Sequence, residues 1–168
     1  MELRLGALLI ESGAMTEDQV AQVLLEQEEN CEPFGVIAER RFGVDPAAVE
    51  QAWATQYSQL TRIIDPDLEV FEDRALALVT RRQAWQFRVL PIRFEPHELM
   101  MATTHVHLPR ALRFVTGVIG YPVFFVLAEP AELGRALCRH YPLAGMRPEC
   151  VLHDGMNRLL TGDQEKAA

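Results

Sequence analysis

Apolar residues recur at helical spacing over the first sixty positions and then give way to short apolar runs. Leu5, Leu8 and Leu9 share one helical face, and Gly13 follows where a left-handed C-terminal cap is wanted. Thr16 and Gln19 form a capping box, after which Val20, Val23, Leu24 and Gln27 repeat at i, i+3, i+4, i+7. Two helices are predicted, with Gln27 ending the buried stripe of the second. Residues 33–56, PFGVIAERRFGVDPAAVEQAWATQ, restate the phrase after a gap spanning residues 28–32. Phe34 and Gly35 match Leu5 and Gly6, Ile37 and Ala38 match Leu8 and Leu9, and Gly43 answers Gly13 with a one-residue shift. Asp45 and Pro46 supply an N-cap and first-turn proline. Val49, Ala52, Trp53 and Gln56 then reproduce Val20, Val23, Leu24 and Gln27.

A duplicated helical hairpin packed on its copy accounts for the apolar positions. It accounts less well for two glutamines that end apolar faces. Nor does it account for glycine after Leu5 and Phe34, where a helix interior loses roughly 0.5–1 kcal/mol relative to alanine. Glycine there points to close approach by a ligand or another backbone.

From residue 60 the period changes. Residues 60–65 read as a short strand, 73–87 as an amphipathic helix, and 88–94 as a strand that Pro91 places at an edge or bend. EPHE turns the chain into a strand over 98–103, making a hairpin. A helix over 108–116 ended by Gly117, an apolar strand over 121–128 and a helix over 129–141 opened by Pro130 complete the pattern. Trp53, Trp85, Phe124 and Phe125 are expected in the core. The fold class is α+β: a helical repeat subdomain over 1–58, a small mixed-sheet α/β subdomain over 59–141, and a partly flexible tail over 142–168 with one helical turn near 156–160.

The composition is that of an ordinary folded chain: 168 residues, 49% hydrophobic and 24% charged. The longest apolar run is broken by Gly120, Tyr121 and Pro122, far short of the ~20 residues that span a bilayer, so no membrane insertion is expected. No signal-peptide pattern opens the chain. Three widely spaced cysteines suit a reducing compartment, and the cytoplasm is the expected location. A net charge of −8 disfavours binding to a nucleic acid polymer or an anionic membrane.

The two RLGxxL-type units followed by ALALVTRRQAWQFRVLPIRFEPHELMMATTHVHLPRALRFVTG resemble the MshEN family, the N-terminal domain of type II secretion and type IV pilus assembly ATPases. The resemblance spans roughly residues 3–141. It implies a helical subdomain whose duplicated motif binds cyclic di-GMP, one guanine half per unit. On that reading Arg4 stacks on a base, Leu5, Leu8 and Leu9 wall it, Gly6 and Gly13 shape the first unit, and Gln27 donates to an edge or a phosphate. Phe34, Gly35, Ile37 and Gln56 take corresponding places in the second. Pro33 stands where the second unit's arginine belongs. Arg40 or Arg41 replaces it from another direction, or else the pair is a solvated face. His105 and Val106 replace the family's Asp-Pro.

Nothing in the chain matches GxxxxGK[ST], so a standalone sensor or docking domain is expected, acting through a protein partner in a secretion, pilus or polysaccharide system. The alternative is an interaction adaptor that keeps the fold and has lost the nucleotide site. His105 and His107 lack supporting metal ligands at short spacing. Cys138 and His140, two apart on a helix, face different directions and do not suit a nucleophile and base. No catalytic residues, metal or cofactor are expected.

Overall fold

A computed structural model describes residues 4–152. It divides into two compact units, Met1–Leu60 and Thr61–Ala168. Among the described residues, no helix is long and apolar enough to cross a membrane.

The first unit is four helices: α1 (Leu5–Glu11), α2 (Glu17–Asn30), α3 (Phe34–Phe42) and α4 (Pro46–Leu60). The punctuation follows the sequence. α1 ends through Ser12 into Gly13 at φ +76°, and α3 ends on Gly43 at φ +63°, a left-handed conformation that costs other residues about 1–2 kcal/mol. Thr16 Oγ1 accepts from Gln19 N at 3.3 Å while Gln19 Oε1 accepts from Thr16 N at 2.9 Å, the reciprocal capping box at the start of α2. Asp45 Oδ1 accepts from Ala47 N at 2.9 Å at the start of α4. The repeats then interlock, with α1 packing mainly on α4 and α2 on α3. Leu8, Leu9, Met15, Val23, Phe34, Ile37, Ala38, Val44 and Ala52 form one core drawn from both copies.

The second unit is built on a three-stranded mixed sheet. β1 (Leu90–Phe94) pairs antiparallel with β2 (Leu99–Thr103), and β2 pairs in parallel with β3 (Val123–Leu127). Pro91 lies on the outer strand, whose register shifts between Pro91 and Arg93. Its outer edge is occupied by one residue: Glu72 N donates to Ile92 O at 2.8 Å and Phe94 N donates to Glu72 Oε2 at 3.2 Å.

Three boundaries differ from the sequence reading. Residues 60–65 make only a single bridge, Ile63 to Leu127, because Asp65 and Pro66 turn the chain into a 3₁₀ turn over Pro66–Leu68, with Asp65 Oδ1 accepting from Asp67 N. The helix expected over 73–87 is two helices, α5 (Asp73–Leu76) and α6 (Arg81–Phe87). Thr80 and Gln83 form a second capping box between them. α7 (Leu108–Val118) runs through Gly117 instead of stopping at it. α8 (Pro130–His140) matches its expected place and packs against a 3₁₀ turn over Pro148–Leu152. That turn buries Cys150 and Val151, so residues 148–152 belong to the folded unit. The helical turn expected near 156–160 lies outside the described residues. Trp85 and Phe125 are fully buried, Trp53 and Phe124 half-buried.

Arg88 anchors that closing segment. It is fully buried at φ +53°, and its guanidinium donates to Cys150 O and Val151 O, each at 3.2 Å, and to Trp85 O. Five guanidinium donors in a fixed fork suit this bridging of several carbonyls.

Candidate functional site

The two glycine-bearing helices start alike. Arg4 precedes α1 and Pro33 precedes α3, both with extended backbone and neither with a side-chain cap, whereas α2 and α4 are capped by Thr16 and Asp45. Ala7 N donates back to Arg4 O at 2.9 Å, which leaves the Leu5 and Gly6 amides of α1, like the Phe34 and Gly35 amides of α3, without an intrahelical acceptor, and aligned dipoles place positive potential at such ends. Helix starts of this kind suit anionic oxygens, phosphodiesters among them.

The glycines explain how the copies come together. A Cβ at Gly6 would lie 2.7 Å from Val20 Cγ1, and a Cβ at Gly35 would lie 2.7 Å from Val49 Cγ1. Repeat position for repeat position, glycine receives the valine of the following helix. The close approach expected at these glycines is thus made by the protein itself. The Gly6 position also lies 3.4 Å from Phe34 Cζ, so the first turns of α1 and α3 adjoin.

Of the residues singled out in the sequence, Arg4 is exposed, and Leu5, Gly35, Gln27 and Gln56 are half-buried. The side chains of Arg4, Gln27 and Gln56 make no hydrogen bond or ion pair among the described residues. Leu8 and Phe34 are 8% and 9% exposed at the core margin. Leu9 and Ile37 are fully buried. They cannot wall a ligand and instead support the helices from beneath. Gly13 has open space around its Cβ position, and its positive φ assigns it to chain reversal.

Arg40 and Arg41 are engaged with side chains of α2 and of the link that follows it. Arg40 Nη2 lies 2.7 Å from Glu26 Oε1 and 2.6 Å from Glu32 Oε2, and Arg41 bonds Glu26 Oε2 at 2.7 Å and Gln22 Oε1 at 3.0 Å. They tie α3 back to α2. The Arg41 guanidinium first, and Arg40 with it, holds the Glu26 carboxyl below the usual carboxylate range. The i+14 and i+15 separations of these pairs hid the cluster from any local reading of the sequence.

In the second unit His105 is exposed, while His107 is buried with its Nδ1 2.7 Å from Thr104 Oγ1. Among the described residues no group of three or more His, Cys, Asp or Glu is placed to hold a metal. A cleft of about 500 Å³ lies beside the β1–β2 hairpin, lined by Arg74, Phe94, His97 and Tyr121 among others. The Arg74 guanidinium sits 4.5 Å from the Phe94 ring centroid, and Tyr121 meets that ring edge-on at 5.1 Å.

The profile of the MshEN domain family matches residues 58–146, just over half of the chain and centred on the second unit. Type IV pilus assembly ATPase PilB of Thermus thermophilus is 27% identical over 158 residues. That alignment takes in 92% of this chain but only 17% of PilB's length. Among solved structures, MshE with cdg is 24% identical, with 82% of this chain and 99% of that one covered at a TM-score of 0.45. The N-terminal domain of XpsE is 14% identical, with 83% and 94% covered at a TM-score of 0.43.

Proposed function

Because the chain belongs to the MshEN domain family, we propose that its helical unit binds cyclic di-GMP and that the domain passes the binding event to a protein partner in a secretion, pilus or exopolysaccharide assembly. The observation that carries this reading is the repetition in three dimensions. Two uncapped helix starts adjoin, each backed by the same glycine-on-valine contact, and each copy leaves a glutamine side chain without a hydrogen bond among the described residues. A ligand made of two identical nucleotides joined by two phosphates suits such a pair. Arg4 stacks on one guanine, the amides of the first turns of α1 and α3 take phosphate oxygens, and Gln27 and Gln56 serve the two halves. On this reading the helical unit senses the ligand and does not transform it.

The test is titration calorimetry with cyclic di-GMP, using GTP and cyclic di-AMP as controls. Arg4→Ala and Gln27→Ala each remove the heat of binding and leave the melting temperature unchanged; equal affinity in both variants would sink the assignment. A second reading, an adaptor without ligand, is favoured by one feature. Pro33 occupies the arginine position, and Arg40 and Arg41 are held by Glu26, Glu32 and Gln22. Pro33→Arg separates the two readings, because a restored cation–π contact of ~1–2 kcal/mol tightens an existing site roughly 5- to 30-fold and does nothing where no site exists.

A further inference from the structure

The net charge of −8 is concentrated at one end of the chain. Residues 1–60 hold eleven acidic side chains against three arginines, which is −8 by itself, whereas residues 61–168 balance thirteen acidic against thirteen basic side chains. The second unit is segregated again: no acidic residue occurs between Asp73 and Glu95, or between Glu98 and Glu129. Those two stretches contain α6 and α7.

The two helices lie side by side. The Phe87 and Phe114 rings stack at 4.3 Å, and Arg110 Nη1 donates to Gln86 O at 3.4 Å. Arg82 is one turn before Gln86 on the same side of α6, Arg81 adjoins it, and Arg113 is one turn beyond Arg110 on α7. Arg81, Arg82 and Arg113 are exposed and Arg110 is half-buried. Arg81 and Arg82 form no ion pair among the described residues, whereas Arg74, Arg93, Arg135 and Arg139 each do. Val106, 69% exposed, lies in the turn that leads into α7.

The complementary surface is on the page as well. Glu28 and Glu29 are exposed in the last turn of α2 and make no ion pair among the described residues. The carbonyl end of a helix reinforces their negative potential. We propose that the arginine face of α6 and α7 docks on the acidic end of α2 in a second copy of this chain. The two surfaces differ, so the contact is head-to-tail and can recur from copy to copy. Exposed charges dominate it, so it forms fast and is weakened by salt.

Sedimentation velocity of the full chain tests this at about 0.01 M and about 1 M salt, where the screening length falls from roughly 30 Å to 3 Å. At low salt the mean sedimentation coefficient rises with protein concentration; at high salt it stays at the monomer value. The double variants Arg81→Glu/Arg82→Glu and Glu28→Arg/Glu29→Arg are each monomeric at low salt with unchanged melting temperatures. Mixed together they associate again at low salt, because each presents the charge that the other's reversed surface now requires. A monomer at every concentration in low salt overturns the proposal, and so does association that survives either double variant. Capture of wild-type monomer by vesicles containing phosphatidylserine, without self-association, assigns the arginine face to a lipid surface and overturns it too.

Discussion

Adding one methyl group to a helical glycine is expected to act in opposite directions at two places in this protein. At Gly6 the new Cβ would sit 2.7 Å from Val20 Cγ1, a distance that real Cβ contacts do not reach. Valine is stiff at χ1, so its methyl cannot swing clear cheaply and α1 must move away from α2. Overpacking of this kind costs about 1–3 kcal/mol. Against it, alanine restricts the unfolded chain and returns about 0.4–1 kcal/mol. The balance is a loss of stability. At Gly117, also helical, nothing lies within 4 Å of the Cβ position, so only the gain of about 0.4–1 kcal/mol remains. Urea unfolding of Gly6→Ala and Gly117→Ala, with their midpoints compared at equal slope, reads the difference directly. Val20→Ala introduced beside Gly6→Ala should recover part of the loss, since the two residues are in contact and their effects are coupled. Gly35→Ala with Val49→Ala should behave the same way, because its Cβ meets Val49 Cγ1 at the same 2.7 Å. A Gly6→Ala variant as stable as Gly117→Ala would refute the glycine-on-valine account.

Other expectations follow from the same contacts. Gly13→Ala and Gly43→Ala, at φ +76° and +63° in open space, each lower stability by about 1–2 kcal/mol in thermal or urea unfolding, through backbone strain alone. At Gly134 a methyl would run into the Pro148 carbonyl, so Gly134→Ala lifts the 3₁₀ turn off α8. Buried Cys150 then reacts faster with a thiol reagent such as DTNB, while an unchanged rate would count against that packing. The Glu26 carboxyl titrates below its ordinary 4.5 when paired with Arg41 and Arg40. Its stabilisation is therefore present above that pH and is lost as pH falls through the lowered value. Glu26→Gln should flatten the acid limb of the stability profile below about pH 4.5, a change readable by circular dichroism.

How much of this was legible in the chain depends on the range of the interaction concerned. Thr16 with Gln19, Asp45 with Pro46, and glycine at 13 and 43 act within four residues of themselves, and the boundaries they govern, the ends of α1 and α3 and the starts of α2 and α4, fell where those residues put them. The same chemistry at Thr80 and Gln83 splits the helix expected over 73–87, because a capping box outweighs an apolar stripe that continues across it. Pro91 on the outer strand was equally legible, since proline has no amide to give to a second neighbour. The duplication itself, and with it the interior glycines and glutamines, was also set down in the sequence.

What the glycines are for was decided only in three dimensions. Sequence spacing cannot show that Gly6 receives Val20 and Gly35 receives Val49, because the contact depends on the crossing of two helices. Nor can it show that Leu9 and Ile37 are sealed away from any ligand. Arg40 and Arg41 belong to the same helix that Pro33 opens, yet their guanidiniums turn to Glu26, Glu32 and Gln22, where carboxylates and an amide oxygen wait on the neighbouring helix and its link. Local propensity fixes where elements begin and end. Which side chains remain free for a partner is settled by the packing that consumes all the others.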